Sequence, residues 1–446
     1  MAEGVSICRQ RVAVLGAGRT GQATARYLAQ QGADVLLSDS GTLADDVRDD
    51  VRAEMTSLGV AWEESGHSDR VLSADLIVPS PGIPLGAPIL QRARSRGVPI
   101  MGELELAYRQ CPSDRIVAVT GTVGKTTTTH LISEILVQNG HSVVTAGNIG
   151  IPFIEALDGV DADTVVVLEV SSFQLEHVER FRPHVGVLTR FAPHHLDRHG
   201  TPERYFEAKA RMFRNQTDRD AAIIHRDAPS LANLRSTHQR YSAAEVEDGR
   251  WPLHQRENLA AALRAARWVD PQLSLNGVKF ECALRLPHRL ETVATVDGTR
   301  FVNDSKSTTP TATVAAMRAF PDASVALVLG GRSQGEDLQE LTEAVARSGV
   351  DVVYLMGDAR PRWMRRLRAA GCRRIRPIAS FDQLTRGVAR LRPDVCLFSP
   401  GAASFDQFAG YAERGDAFRR AVTAHAQTRV TRLGDQAGPT LERRSF

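Results

Sequence analysis

Short apolar runs and stretches of helical spacing alternate along nearly the whole chain. Arg11-Val12-Ala13-Val14-Leu15 predicts a strand. It leads through Gly16-Ala17-Gly18-Arg19-Thr20-Gly21 into a helix-spaced segment, Gln22 to Gln31, and a second strand, Asp34 to Ser38, that ends at Asp39. A further strand, Leu76-Ile77-Val78, stops at Pro79-Ser80-Pro81-Gly82. A new unit opens on Ile116-Val117-Ala118-Val119-Thr120 and contains a strand at 164–168 and a helix-like stretch at 256–268. A third begins near Pro287, with strands at 325–329, 352–356 and 395–398 separated by helical stretches. Alternation of this kind predicts an α/β protein with parallel sheets and ligands at the carboxyl ends of the strands. The expected division is a Rossmann-like domain over 1–108, a central phosphate-loop domain over 109–285, a Rossmann-like carboxyl-terminal domain over 286–428 and a weakly ordered polar tail over 429–446.

Composition narrows the class. The chain has 446 residues, 42% hydrophobic and 24% charged, an ordinary balance for a folded protein of several domains. There is no apolar run near the length of a membrane span and no signal-peptide pattern at the start, so a cytoplasmic protein is expected. Five scattered cysteines, Cys8, Cys111, Cys282, Cys372 and Cys396, offer neither a disulfide framework nor a zinc site. Net charge is +3, but of the 55 basic residues only Lys125, Lys209, Lys279 and Lys306 are lysines. Residues 360–376 hold eight arginines with Trp363 as the one aromatic among them, which reads as a solvated helix face rather than a nucleic-acid surface.

The sharpest local signal is Thr120-Gly121-Thr122-Val123-Gly124-Lys125-Thr126-Thr127, between a strand and a helix. Glycines let backbone N–H groups close on phosphate oxygens, and the helix N-terminus adds a favourable dipole. Lys125 suits the outer phosphates and the Thr126 hydroxyl suits Mg²⁺. The strict phosphate-loop pattern fails because Val119 stands at its first glycine. The earlier Gly16-x-Gly18-x-x-Gly21, with Asp39 about twenty positions on, fits NAD, another nucleotide or no ligand at all. Glu169 ends a strand, where its carboxylate suits Mg²⁺, with an acid at a helix N-terminus as the alternative.

These motifs, in this order, resemble the Mur ligase family, which builds the peptide stem of bacterial peptidoglycan. The resemblance runs from the phosphate loop through Gly147-Asn148-Ile149-Gly150, Glu169-Val170-Ser171-Ser172-Phe173-Gln174-Leu175-Glu176, His195-Leu196-Asp197-Arg198-His199-Gly200 and Ala208-Lys209-Ala210-Arg211. It continues through Leu286-Pro287-His288-Arg289, Asn303-Asp304-Ser305-Lys306 and Ser404-Phe405-Asp406-Gln407-Phe408. The Ser171–Glu176 stretch and the closing Asp-Gln-Phe are most similar to the type that adds D-glutamate to UDP-N-acetylmuramoyl-L-alanine.

The resemblance implies an ATP-dependent ligase working through an acyl phosphate and a tetrahedral intermediate. It implies two Mg²⁺ ions, for which Mn²⁺ can substitute, held with the help of Thr126, Glu169, His195 and a carbamylated Lys209. It assigns ATP to Gly121, Thr122, Gly124, Lys125, Thr126, Thr127, Asn258, Arg289 and Asp304. UDP rather than NAD falls to Arg19, Thr20, Asp39, Ser80 and Gly82. Asn148 supports a metal-bound water or phosphate, and Lys306, Thr308, Ser404 and Tyr411 take the amino acid. A monomer with small-molecule substrates, no nucleic acid and no membrane insertion is expected.

Four positions depart from the family pattern: Val123 between the loop glycines, Arg190 and His194 before His195, and Gln334 where a lysine is usual. Tyr411 replaces a phenylalanine. Two cations beside a metal site are unfavourable unless His194 is neutral or turned away. These changes leave open a ligase for L-glutamate or another amino acid and a non-catalytic relative, and the first glycine motif leaves open an NAD-dependent oxidoreductase with an unused phosphate loop.

Overall fold

A computed structural model describes residues 7–42, 45–246, 251, 253–278, 280, 287–332, 338–404, 406–408 and 410–436. Gln334, Lys279, Cys282, Leu286, Phe405 and residues 437–446 therefore lie outside the described residues. The chain is α/β with three sheets. Two of them share one compact unit, residues 1–284, and the third belongs to a second unit, 285–446.

The first sheet has the order β3-β2-β1-β4 and is parallel, with β1 Arg11–Leu15, β2 Asp34–Ser38, β3 Ala61–Glu63 and β4 Leu76–Pro79. The second, also parallel, has the order β10-β9-β8-β5-β7-β6. Its strands are β5 Ile116–Thr120, β6 Val143–Gly147, β7 Val165–Glu169, β8 Val185–Leu188, β9 Ala221–His225 and β10 Thr237–Tyr241. The apolar runs are continuous because both faces are covered, and alternate residues enter different cores. Val117, Val119, Val165 and Val167 join one, while Ile116, Ala118, Val166 and Leu168 join the other. This second core continues into the first sheet through Val12, Val14 and Leu37, so the two sheets share an apolar interior.

Two neighbouring acids stitch the unit together in opposite ways. Glu105 accepts the backbone N–H groups of Glu179, Arg180 and Phe181, each at 2.9 Å, and pairs with Arg109 at 2.7 Å. Glu103 is equally buried and accepts from the Ile154 N–H at 2.8 Å, but burial pushes its carboxyl up from 4.5 to about 7. A raised folded-state value means the native protein binds this proton more tightly than the unfolded chain, so stability is lost as pH rises through that window. Glu103→Gln should therefore match the parent's melting temperature near about pH 4 and exceed it increasingly toward about pH 8, by at most on the order of 3 kcal/mol. Thermal melts across pH check this, and an offset that does not change with pH would contradict it.

In the second unit the sheet order is β11-β12-β16-β13-β14-β15, with β11 Glu291–Val296, β12 Thr299–Asn303, β13 Val325–Gly330, β14 Val350–Met356, β15 Ile375–Pro377 and β16 Val395–Phe398. Its pairs are parallel except β11 with β12, a departure from the all-parallel expectation. The cause is local. Asp297-Gly298 turns with φ of 48° and 85°, the left-handed pair that closes a two-residue hairpin.

The arginine-rich stretch forms the helix Arg360–Ala369, with Arg360, Arg365, Arg366 and Arg368 exposed and Trp363 buried in the core beneath. The final helix, Tyr411–Gln436, carries on through the polar stretch read as the start of a weakly ordered tail. Ala, Arg and Gln sustain a helix even where its surface is polar. Among the described residues, no helix is long and apolar enough to cross a membrane.

Candidate active site at the strand ends of the central sheet

The second sheet delivers its chemistry from the carboxyl ends of four strands. β5 runs into the phosphate loop, β6 into Asn148, β7 ends on Glu169 and β8 leads to Arg190–His195. β5 lies between β7 and β8, the strand-order reversal beside which open α/β sheets bind ligands. Gly121 (φ 143°) and Gly124 (φ 93°) are needed twice over. Their backbone angles suit glycine, and a Cβ would fall 1.9 Å from Thr189 Oγ1 or 2.2 Å from Asn258 Oδ1 respectively. Gly124 caps the helix Lys125–Gln138, and that close approach seats Asn258 directly on the loop. The loop is pinned from behind: Thr122 N–H donates to Arg190 O at 2.9 Å, and the Thr122 hydroxyl donates to Ala192 O at 2.8 Å while accepting from Ala192 N–H at 3.0 Å. Val123 needs no polar side chain for this, since it bridges Arg190 through backbone.

Lys125 curls over the loop, its Nζ donating to Gly121 O at 3.0 Å and Thr122 O at 3.1 Å. The Thr126 hydroxyl donates to one oxygen of the buried Glu169 carboxylate, and Asn148 Nδ2 donates to the other at 2.8 Å. A hydroxyl and a carboxylate thus meet on one spot as hard oxygen donors, with the Asn148 amide nitrogen orienting the carboxylate. No group of three or more acids, histidines or cysteines is placed to cage a metal among the described residues. The donor set fits an ion such as Mg²⁺, which keeps most of its shell for water and phosphate oxygens.

Lys209 is 1% exposed. Its Nζ donates to Gly121 O at 2.8 Å and lies 4.5 Å from the centre of the Tyr205 ring. Burial, reinforced by the Lys125 charge and only partly offset by Glu169, holds this amine well below the usual lysine range. The shift favours the deprotonated amine, the form that acts as a nucleophile. Tyr205 was missed by sequence reasoning. Its OH lies 3.3 Å from Thr122 Oγ1, and burial pushes it up to about 12. The available signal was its place four residues before Lys209, on the same face of the helix Pro202–Ala210.

His195 adopts the left-handed conformation, φ 54°, which turns its ring onto His194 at 3.7 Å between centres. Burial first, then His195 and Lys125 around His194 and Lys125 around His195, push both imidazoles down to about 3, so both are neutral. The clash of cations foreseen from the sequence does not arise. Arg190 has its own acid, Glu257, at 4.0 Å.

In the first sheet the reversal lies between β1 and β4. Gly16 (φ 92°) opens the turn, and a Cβ on Gly21 would fall 1.7 Å from Gly16 O, so the turn folds tightly onto the helix Arg19–Gln30. Arg19 and Thr20 are therefore its first helical residues. Asp39 accepts from Ala17 N–H at 2.6 Å and Gly41 N–H at 2.8 Å, and Ser80 Oγ donates to Gly16 O at 3.2 Å, with Gly82 exposed two residues on. These five predicted residues share one strand-end crevice.

The second unit gathers the rest. Asp304, following β12, accepts from Ser399 Oγ at 2.7 Å and Leu290 N–H at 3.2 Å. Burial pushes it up to about 6 despite Ser307, Ser399 and Arg289. Lys306 Nζ sits 3.9 Å from the centre of the Tyr411 ring, Thr308 is half-buried in the loop that follows Lys306, and Ser404 is buried. Arg414 is the missed residue here. Fully buried, it donates to Ser305 O at 2.8 Å and Ala402 O at 3.0 Å, joining the two segments that carry Lys306 and Ser404.

Comparison with known proteins gives a consistent picture. Residues 10–102 match the MurD-like N-terminal domain of Mur ligases, 119–261 the Mur ligase middle domain, and 288–402 the Mur ligase glutamate ligase domain. The UDP-N-acetylmuramoylalanine–D-glutamate ligase of Pelotomaculum thermopropionicum is 38% identical over 93% of this chain and 97% of its own. That of Desulfovibrio desulfuricans is 39% identical over 92% and 95%. Among solved structures, MurF ligase from Thermotoga maritima in complex with ADP superposes with a TM-score of 0.57 at 16% identity, over 89% of this chain and 96% of that one. UDP-N-acetylmuramate-alanine ligase MurC from the same organism gives 0.56 at 18%, over 94% and 100%. At such identities these structures establish a shared fold.

Proposed function

The chain belongs to the Mur ligase family, and we propose that it joins D-glutamate to UDP-N-acetylmuramoyl-L-alanine in peptidoglycan synthesis, driven by ATP. The similarity to D-glutamate ligases along nearly the full length of both chains carries this reading. The convergence of Lys125, Thr126, Glu169, Asn148 and Lys209 on the phosphate loop gives it a chemistry.

The γ-phosphoryl group of ATP passes to the precursor's terminal carboxylate, breaking the bond to the β-phosphate oxygen and releasing ADP. The glutamate amine then attacks the acyl carbon and loses its proton, and the tetrahedral intermediate collapses with departure of phosphate. Most of the catalysis is positioning and charge neutralisation. Gly121 to Thr127 cradle the phosphates, Lys125 leaves its loop carbonyls to meet the outer ones, and Asn258 takes the adenine side. Bound Mg²⁺ would neutralise phosphate charge during transfer, and Thr126, Glu169 and His195 would hold it. Lys209, whose buried amine gives up its proton more readily than an ordinary lysine, would add CO₂ and supply a carbamate oxygen to the second ion.

The division near residues 108 and 285 assigns the precursor to the first domain through Arg19, Thr20, Asp39, Ser80 and Gly82. ATP falls to the second, with Arg289 and Asp304 from the third, and glutamate to Lys306, Thr308, Ser404 and Tyr411. We read the chain as a monomer acting on small-molecule substrates of the cytoplasm. ADP release measured with the UDP precursor and a panel of D- and L-amino acids should show turnover with D-glutamate alone. A preference for L-glutamate or another amino acid would overturn the assignment, and NADH formation without ADP would overturn the class.

A further inference from the structure

Arg198 is a side chain that the proposed chemistry does not use, yet it is among the most heavily committed in the molecule. Its Nη1 donates to Gly82 O at 2.7 Å and its Nη2 to Ile83 O at 3.0 Å, both across more than a hundred residues of sequence. Nη2 also pairs with Glu176 Oε2 at 2.5 Å. The two side chains are only 10% and 9% exposed, unlike the surface pair Arg11–Asp75 at 59% and 44%. An exposed pair contributes little, whereas a forked guanidinium shared among two carbonyls and a carboxylate fixes geometry. The guanidinium carbon lies 4.4 Å from the centre of the Phe173 ring, and that ring packs on His195 at 4.7 Å and on His199 at 5.6 Å. His199 in turn lies 3.4 Å from the other Glu176 oxygen.

At the far end, the loop that Arg198 grips is the one whose Ser80 reaches Gly16 O in the first sheet's glycine turn. An unbroken chain of contacts therefore runs from Gly16 through Ser80, Gly82 and Ile83 to Arg198, and from there through Phe173 to His195. One end is the crevice assigned to the UDP portion of the precursor. The other is the centre where the precursor's carboxylate must arrive.

We propose that Arg198 is a positioning residue that fixes the span between the UDP-binding crevice and the phosphate-loop centre, so that a precursor anchored at one end presents its carboxylate in register at the other. This rests on the ligase reading above. It predicts a particular division of kinetic effects, because ATP binds the phosphate loop without passing through this clamp. Arg198→Ala should raise KM for the UDP precursor roughly ten-fold and lower kcat by roughly ten- to a hundred-fold, as expected when a reacting group is displaced by about an ångström. KM for ATP should stay within about two-fold. Arg198→Lys keeps the charge but loses the fork, and should fall between the two.

The measurements are steady-state kinetics with each substrate varied, calorimetric titration of the precursor into the nucleotide-free full-length chain, and thermal melts. A merely structural arginine would lower the melting temperature and leave both KM values and the kcat per folded molecule unchanged, and that result overturns the proposal. So does a rise in ATP KM equal to that for the precursor. If the alanine variant does not fold, Arg198→Lys decides the matter by the same split. Wild-type turnover with D-glutamate tests the ligase reading separately, and the calorimetric comparison of variant with parent stands whichever amino acid is used.

Discussion

Lys209→Arg should abolish ligation, with a loss of roughly 10³-fold or more in kcat, of the order seen when a preorganised charge-stabilising group is removed. The expectation comes from burial. The amine is 1% exposed, faces a carbonyl and an aromatic ring, and is held well below the usual lysine range by desolvation and by Lys125. A guanidinium is always charged and cannot add CO₂, and here it would be buried close to the Lys125 charge, which Glu169 offsets only in part. Lys209→Met should be equally inactive yet more stable at neutral pH. The sign follows from linkage: a folded-state value below the unfolded 10.5 means that the unfolded chain binds the proton the native protein gives up. The native state is penalised at neutral pH, and the penalty fades as pH climbs toward 10.5. The methionine variant's gain in melting temperature should shrink over the same range. Enzyme stripped of CO₂ should lose activity and regain it with bicarbonate, and neither variant should respond. Wild-type turnover in Lys209→Arg would sink the role given to this lysine.

That such a residue stood out in the sequence has a physical basis. Arginine fills nearly every basic position in the chain, so the few lysines stand out, and Lys125, Lys209 and Lys306 are three to which the proposed chemistry gives a task suited to a compact, titratable amine. The phosphate loop was legible for a related reason. Its geometry is set within eight residues by glycines whose Cβ atoms have no room. The apolar runs were legible because strands covered on both faces need no polar alternation. What escaped was written across long sequence separations. Arg198 meets Gly82 through the fold alone. Arg414 looks like one more surface arginine until the fold buries it between Ser305 and Ala402. The antiparallel β11–β12 pair did carry a local sign, Asp297-Gly298, hidden by the βα rhythm around it. The neutrality of His194 could not be read locally either, since burial imposes most of it, helped by His195 and by Lys125, which is distant in sequence.

The same electrostatics give Lys125→Ala two separable consequences. The first is loss of the cation that meets ATP's outer phosphates. kcat/KM for ATP should fall by roughly 10²- to 10⁴-fold, with the UDP precursor still binding. The second concerns Lys209. Lys125 is the cation that holds the Lys209 amine down, and it depresses His194 and His195 as well. Its removal should raise all three toward their ordinary values, leaving less neutral amine at Lys209 at any given pH. Residual activity in Lys125→Ala should thus need more bicarbonate than the parent at neutral pH, and the difference should narrow as pH is raised. Both effects come from rate measurements over ATP, bicarbonate and pH. If kcat/KM for ATP stays within about three-fold of the parent, Lys125 does not meet the phosphates. If the bicarbonate requirement is unchanged, Lys125 is not what holds the Lys209 amine down, and burial alone does so.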